Sequence, residues 1–195
     1  MIKLIPKFMH GTASDGIYVD FPDYQVTVPN SDQHIPGGHA LAVAVDENSG
    51  TTRGSEYGRY NSNYGSAHRV IVPDFHPAIA GEPTEEELEA YGKKILDSYS
   101  KGREDKVGNT VRVTYVKGPK YDQIVKAMST AEESGINTGY NWLRGITCGS
   151  YANRLSQGKS PSEAVHGAPT NGIIGFLWGS TRPSGDVNAS YSDNL

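Results

Sequence analysis

Cysteine is nearly absent from this chain: Cys148 is the only one in 195 residues, so no internal disulfide framework holds the fold together. Long apolar runs are missing as well. The opening stretch, Met1 to His10, carries none of signal-peptide length, and no later segment is long enough to span a bilayer. There is no basic cluster: 18 Lys and Arg stand against 22 Asp and Glu, a mildly acidic balance that offers no nucleic-acid footprint. A Gly-x-Ser-x-Gly elbow, a phosphate loop and a dinucleotide fingerprint are lacking too. His68, Asp74 and His76 bring metal-ligating atoms, but at the spacing of no closed site, and a surface loop accounts for them. Asp46-x-Asn48-x-Gly50 looks like the start of a calcium loop without its flanking helices or distal glutamate, and a hairpin turn accounts for it. The expectation is a soluble protein with no metal or other cofactor and no membrane insertion. It is made in a reducing cytosol, or leaves it by a route that needs no cleavable leader.

What remains reads as one domain over 1–195, with its core at 37–158 and a polar tail after about residue 183 that is expected to fray. Short extended pieces fall at 16–21 and 24–28. The clearest strand is 39–45, with Leu41, Val43 and Val45 on one face and Ala40, Ala42 and Ala44 on the other. That pattern suits a central strand covered on both sides, the alanines leaving room for a closely packed helix. A turn at 46–50 returns the chain into a second strand, 51–60, and 69–73 is a further apolar piece. Thr84-Glu85-Glu86-Glu87 is a capping box opening a helix over 84–101, with Leu88, Tyr91, Ile95 and Tyr99 at helical spacing. Residues 110–116 alternate as a strand, 119–134 read as a helix, and another helix runs from Cys148 to about Gly158. A short fourth helix is expected from Ser160, and one more apolar piece lies at 173–178. The expected class is α+β, an antiparallel β-sheet packed against helices.

Cys148 follows a loop and a capping-type Thr147, at the start of its helix. Free N–H groups and the positive end of the helix dipole favour thiolate over thiol there. His39, at the mouth of the 39–45 strand, supplies the simplest partner, a base for that nucleophile. Pairing Asp46 with Thr51 across the turn sets Leu41 opposite Glu56 and His39 opposite Gly58. Glu56 then lies diagonally beside His39 on the same face, placed to accept the second imidazole N–H and stabilise the imidazolium. A bulge in the second strand would pass that role to Ser55 or Tyr57. Tyr57 and Tyr140, with Asn141, are the candidate substrate-binding residues.

Gly38-His39-Ala40 on a strand, Glu56-Tyr57-Gly58 after it, and the late Tyr140-Asn141, Thr147-Cys148 and Tyr151-Ala152 resemble a circularly permuted NlpC-type, papain-like cysteine hydrolase. In that group the histidine strand precedes the cysteine helix. Lecithin–retinol acyltransferase-like proteins share the order, as do several toxin effectors of the bacterial type VI secretion pathway. The likeness lies in element order and motif chemistry over roughly 37–158. It implies a nucleophile at Cys148, a base at His39 and a thioester intermediate on an amide or ester substrate, most often a peptidoglycan stem peptide. It further implies synthesis in a bacterial cytoplasm without a signal peptide, delivery by a secretion machine, and antibacterial action in the periplasm of a target cell. An immunity protein plugging the groove between the two elements would be its natural inhibitor. Two departures stand out: members often carry Asn-Cys where this chain has Thr147-Cys148, and many use His or Asn where Glu56 stands.

Two other functions fit the same residues. A thioester-forming acyltransferase or lipid deacylase would use the same pair, although no Lys/Arg-rich amphipathic helix is there to face a membrane. A non-catalytic binding module would keep Cys148 as core and His39 as structure.

Overall fold

The computed structural model of the chain describes residues 14–28, 30–58, 65–134, 147–160 and 185–193. Six strands form one antiparallel sheet: β1 (Ser14–Phe21), β4 (His39–Asp46), β5 (Thr52–Gly58), β6 (Ser66–Val70), β7 (Thr110–Lys117) and β8 (Val187–Ser192). Their order across the sheet is β6-β5-β4-β1-β7-β8. A separate two-stranded ribbon, β2 (Gln25–Thr27) and β3 (His34–Pro36), projects between β1 and β4 in sequence. Three helices complete the described residues: α1 (Glu85–Tyr99), α2 (Tyr121–Ser134) and α3 (Cys148–Ser156). The class is α+β, as expected, and the fourth helix from Ser160 and the 173–178 piece lie outside the described residues.

The alternation of β4 divides the interior in two. Leu41, Val43 and Val45 join Ile17, Val19, Phe21, Val111 and Val113 beneath α1, which contributes Leu88, Tyr91, Ile95 and Tyr99. Ala40, Ala42 and Ala44 face the other way, with Tyr18 and Tyr57, against Ile124 and Met128 of α2 and Tyr151, Ala152 and Leu155 of α3. Every one of these side chains is buried, so a strand apolar on both faces has become the centre of a helix–sheet–helix sandwich. The alanines do admit a close helix, because α3 packs across β4, β1 and β5. At Gly16 of β1 the approach is so tight that a Cβ would lie 1.8 Å from the Ser156 carbonyl oxygen.

The turn between β4 and β5 is local chemistry. Asp46 Oδ1 accepts from the Asn48 N–H at 2.9 Å, and Gly50, at φ +68°, takes a left-handed conformation that glycine adopts without strain. The resulting register sets Leu41 opposite Glu56, with no bulge. Thr84 and Glu87 form the expected reciprocal cap on α1.

Two boundaries need correction. A core confined to 37–158 omits β1, which lies between β4 and β7 in the middle of the sheet, with Asp15 and Asp20 among its residues masking the apolar pattern. The tail expected to fray after about residue 183 instead contributes edge strand β8. Its residues Val187, Ala189 and Tyr191 alternate onto the core beneath α1, while the polar residues between them mask that pattern in the sequence.

The contact at Gly16 gives a test of how α3 is held. Gly16→Ala is expected to cost about 1–3 kcal/mol through overpacking, read as a lower denaturation midpoint with unchanged denaturant slope. Wild-type stability in this variant would mean that α3 is not seated on β1 as described.

Candidate active site

Gly37 and Gly38 lead into β4, both donating their N–H to the Tyr24 carbonyl at 3.0 Å. Gly38 has φ +58°, a conformation that lets the chain turn into the strand and set His39 at its mouth. His39 shares its face with Leu41, and Glu56 sits opposite Leu41, so the pleat brings imidazole and carboxylate together. His39 Nε2 lies 3.0 Å from Glu56 Oε2. Both side chains are buried, Glu56 to 4% exposure and His39 to 8%.

A buried carboxylate demands partners for both oxygens. Tyr99, the last residue of α1, donates its hydroxyl to Glu56 Oε2, the oxygen that faces His39. Arg103, four residues on, donates from Nη2 to Oε1 at 2.9 Å. Its guanidinium also lies 3.7 Å from the centre of the Tyr99 ring, in cation–π contact. Tyr24 closes the imidazole from another side, ring centres 5.0 Å apart, and donates its hydroxyl to Asp105 at 2.6 Å. Asp105 also accepts from the Thr27 N–H at 2.8 Å, tying β2 to the loop that carries Arg103.

Cys148 approaches from the opposite layer as the first residue of α3. Thr147 caps that helix: its hydroxyl accepts from the Ser150 N–H at 3.2 Å, and the Ser150 hydroxyl accepts from the Thr147 N–H at 2.9 Å. The helix thus opens at the cysteine, as its local sequence leads one to expect. The thiol is buried and interacts with the His39 ring both through charge and as a hydrogen-bond partner. With Nε2 committed to Glu56, Nδ1 is the ring nitrogen left for sulfur.

Electrostatics follow from these contacts. Burial alone would discharge His39, but the charge and hydrogen bond of Cys148, then those of Glu56, outweigh it and raise the imidazole to about 10. Burial likewise opposes the Glu56 charge, yet His39, Arg103 and the Tyr99 hydroxyl together hold that carboxyl well below the ordinary range. The arrangement favours an imidazolium beside the Glu56 carboxylate. Chemically, such an arrangement can offer a nucleophile, a proton carrier and an orienting carboxylate in sequence.

Of the candidate residues, Cys148, His39 and Glu56 are brought together. Tyr57 is not part of the group: it is fully buried on the alanine face, its ring centre 5.4 Å from that of Tyr151, and it lines no surface groove. Adjacent strand residues point to opposite faces, so a Glu56 beside His39 places Tyr57 away from it. Tyr140 and Asn141 lie outside the described residues. Sequence reasoning missed Tyr24, Tyr99 and Arg103. Tyr99 reads as one more apolar position of a helix, and Arg103 sits in Lys101-Gly102-Arg103-Glu104-Asp105-Lys106, which looks like an ordinary solvated loop. Among the described residues no His, Cys, Asp and Glu group has the arrangement to hold a metal ion, and no helix is long and apolar enough to cross a membrane.

No family model and no curated protein matches the chain. Among solved structures it is similar to the crystal structure of the type VI secretion system effector TseH, with 24% identity and a TM-score of 0.54. The likeness covers 86% of this chain and 89% of that one, and at this identity it is a likeness of fold.

His39 provides a direct test. Its proton is held more tightly folded than at its ordinary value of 6.5, so its contribution to stability is full below that pH and is lost as pH rises toward about 10. Titration of the His39 ring carbons by NMR is expected to show imidazolium through neutral pH, and Cys148→Ala is expected to lower the midpoint. A wild-type midpoint near the free value, unmoved by that substitution, would mean that sulfur and imidazole do not interact.

Proposed function

We propose that this chain is a cysteine hydrolase of permuted papain-like architecture that cleaves an amide bond, its substrate being a bacterial cell-wall stem peptide. The observation that carries the reading is the 3.0 Å contact of Glu56 with His39, an imidazole whose proton is held by the charge and hydrogen bond of Cys148, with the sulfur at a capped helix start. A histidine strand ahead of the cysteine helix is the permuted order, and in this chain β4 precedes α3.

In the reaction, His39 takes the thiol proton and Cys148 attacks the carbonyl carbon. The oxyanion that forms is held by the Cys148 N–H at the start of α3 and a neighbouring donor. Collapse breaks the C–N bond; the amine leaves with the proton from His39, and a thioester remains on sulfur. Water, deprotonated by His39, then adds to the thioester and releases the acid and the free thiol. Glu56 stabilises the imidazolium throughout and keeps the ring from turning.

The wider role follows from the resemblance and from the neighbour. TseH is described as a type VI secretion effector. By that analogy, we place this chain among antibacterial toxins made in the cytoplasm of one bacterium and active in the periplasm of another. A secretion-machine component and an immunity protein are then its partners.

Burial of Cys148 is the observation that favours a non-catalytic module, since an inert core thiol is buried in the same way. Activity separates the two. Purified protein is expected to release soluble fragments from isolated peptidoglycan. Cys148→Ala and His39→Ala are each expected to reduce that release by about a thousandfold or more, with unchanged circular dichroism. Full activity in either variant would refute the cysteine-hydrolase reading.

A further inference from the structure

Glu56 is flanked by two cations. His39 meets Oε2 at 3.0 Å and Arg103 meets Oε1 at 2.9 Å. Beyond His39 stands Cys148. Once the thiol has given its proton to the imidazole, the line from α3 to the 101–106 loop reads thiolate, imidazolium, carboxylate, guanidinium. The four charges alternate and cancel. Remove the guanidinium and the same buried group carries a net negative charge, which a low-dielectric interior penalises.

We propose that Arg103 is a positioning residue of this site, which fixes the Glu56 carboxylate toward His39 and neutralises it so that Cys148 can be held as thiolate. The inference rests on the cysteine-hydrolase reading and adds a fourth member to its machinery. The direct partner of Arg103 is Glu56, and Arg103 acts on the pair through that carboxylate.

Geometry supports a dedicated role. The guanidinium carbon lies 3.7 Å from the centre of the Tyr99 ring, and Tyr99 itself donates to Glu56, so one cation–π pair grips both carboxylate oxygens. Tyr99 is fixed in turn by stacking on Phe21, ring centres 4.7 Å apart. Arginine suits this work better than lysine, because a planar fork can stack and donate at once.

The other ionisable groups packed around the pair do not supply the same charge. Tyr24 and Tyr99 are neutral donors, and burial pushes the Tyr24 hydroxyl further from ionisation. Asp105, half-buried beside Arg103, accepts from the Tyr24 hydroxyl and the Thr27 N–H; against burial, these bonds, and after them the Arg103 charge, hold its carboxyl below the ordinary range, so it adds no cation. His68 lies opposite Glu56 on β6 but is exposed, its Nε2 2.8 Å from the Ser66 hydroxyl. Arg103 is the cation that meets the far oxygen of Glu56.

The test is the thiolate ultraviolet absorbance of Cys148 as a function of pH. It is read as the difference between each protein and its Cys148→Ser counterpart, and requires no reagent to reach the buried sulfur. Arg103→Gln is expected to move the midpoint upward by about one unit, a roughly tenfold loss of thiolate on the acid side, and Arg103→Lys to restore most of it. Where glutamine costs the fold, Arg103→Met, which keeps an apolar stem over Tyr99, carries the same expectation. A wild-type midpoint well below the free-thiol value, unchanged in Arg103→Gln or Arg103→Met, would overturn the role of Arg103 and leave the hydrolase reading standing. Lysine shifting the midpoint as far as glutamine would overturn charge neutralisation. A wild-type midpoint at the free value of about 8.5 would overturn both.

Discussion

The register of one hairpin governs the rest of the site. Leu41 stands opposite Glu56, and from that pairing His39 and Glu56 share a face one step apart, near enough for a 3.0 Å contact. A slip of one residue would send Glu56 to the alanine face and put Tyr57 beside the imidazole. The register is in turn fixed by the Asx-type turn at Asp46, by Gly50 in its left-handed conformation, and by apolar packing on both faces of β4. The proposed chemistry thus rests on a central strand, paired along both edges and covered on both faces.

Two layers then converge on the mouth of β4. The layer of α1 brings Tyr99 and, just past its end, Arg103, which between them hold the carboxylate. The layer of α3 brings Cys148, and its close seat depends on small residues: Ala40, Ala42 and Ala44 in β4 and Gly16 in β1. The sheet contributes His39 and Glu56, the helix start contributes Cys148, and the loop contributes Arg103. None of these groups would stand alone as a charge in a buried setting, because an isolated charge lacks its counter-ion.

Much of this was legible in the amino-acid sequence where the cause is local. The capping boxes at Thr84 and Thr147, the turn at Asp46–Gly50 and the two-faced apolar strand at 39–45 are short-range signals, and each produces its element. The position of Glu56 was legible because strand pairing converts residue number into neighbourhood. The same rule applied one residue further excludes Tyr57 from the site. What the sequence did not disclose depends on long-range placement. The central seat of β1 and the pairing of β8 with β7 come from sheet order, which no local pattern encodes. Arg103 is invisible for the same reason: it lies 47 residues from Glu56 in a charged loop, and only the packing of α1 on the sheet brings the two together.

Acylation of Cys148 is the defining step of the proposed reaction. Its most direct test is intact-mass and peptide-mapping analysis of the protein quenched in acid during turnover of peptidoglycan stem peptides. An adduct of acyl-fragment mass is expected on the peptide containing Cys148, formed by the wild type and absent in His39→Ala. Turnover with no adduct on Cys148, or an adduct on another residue, would contradict it.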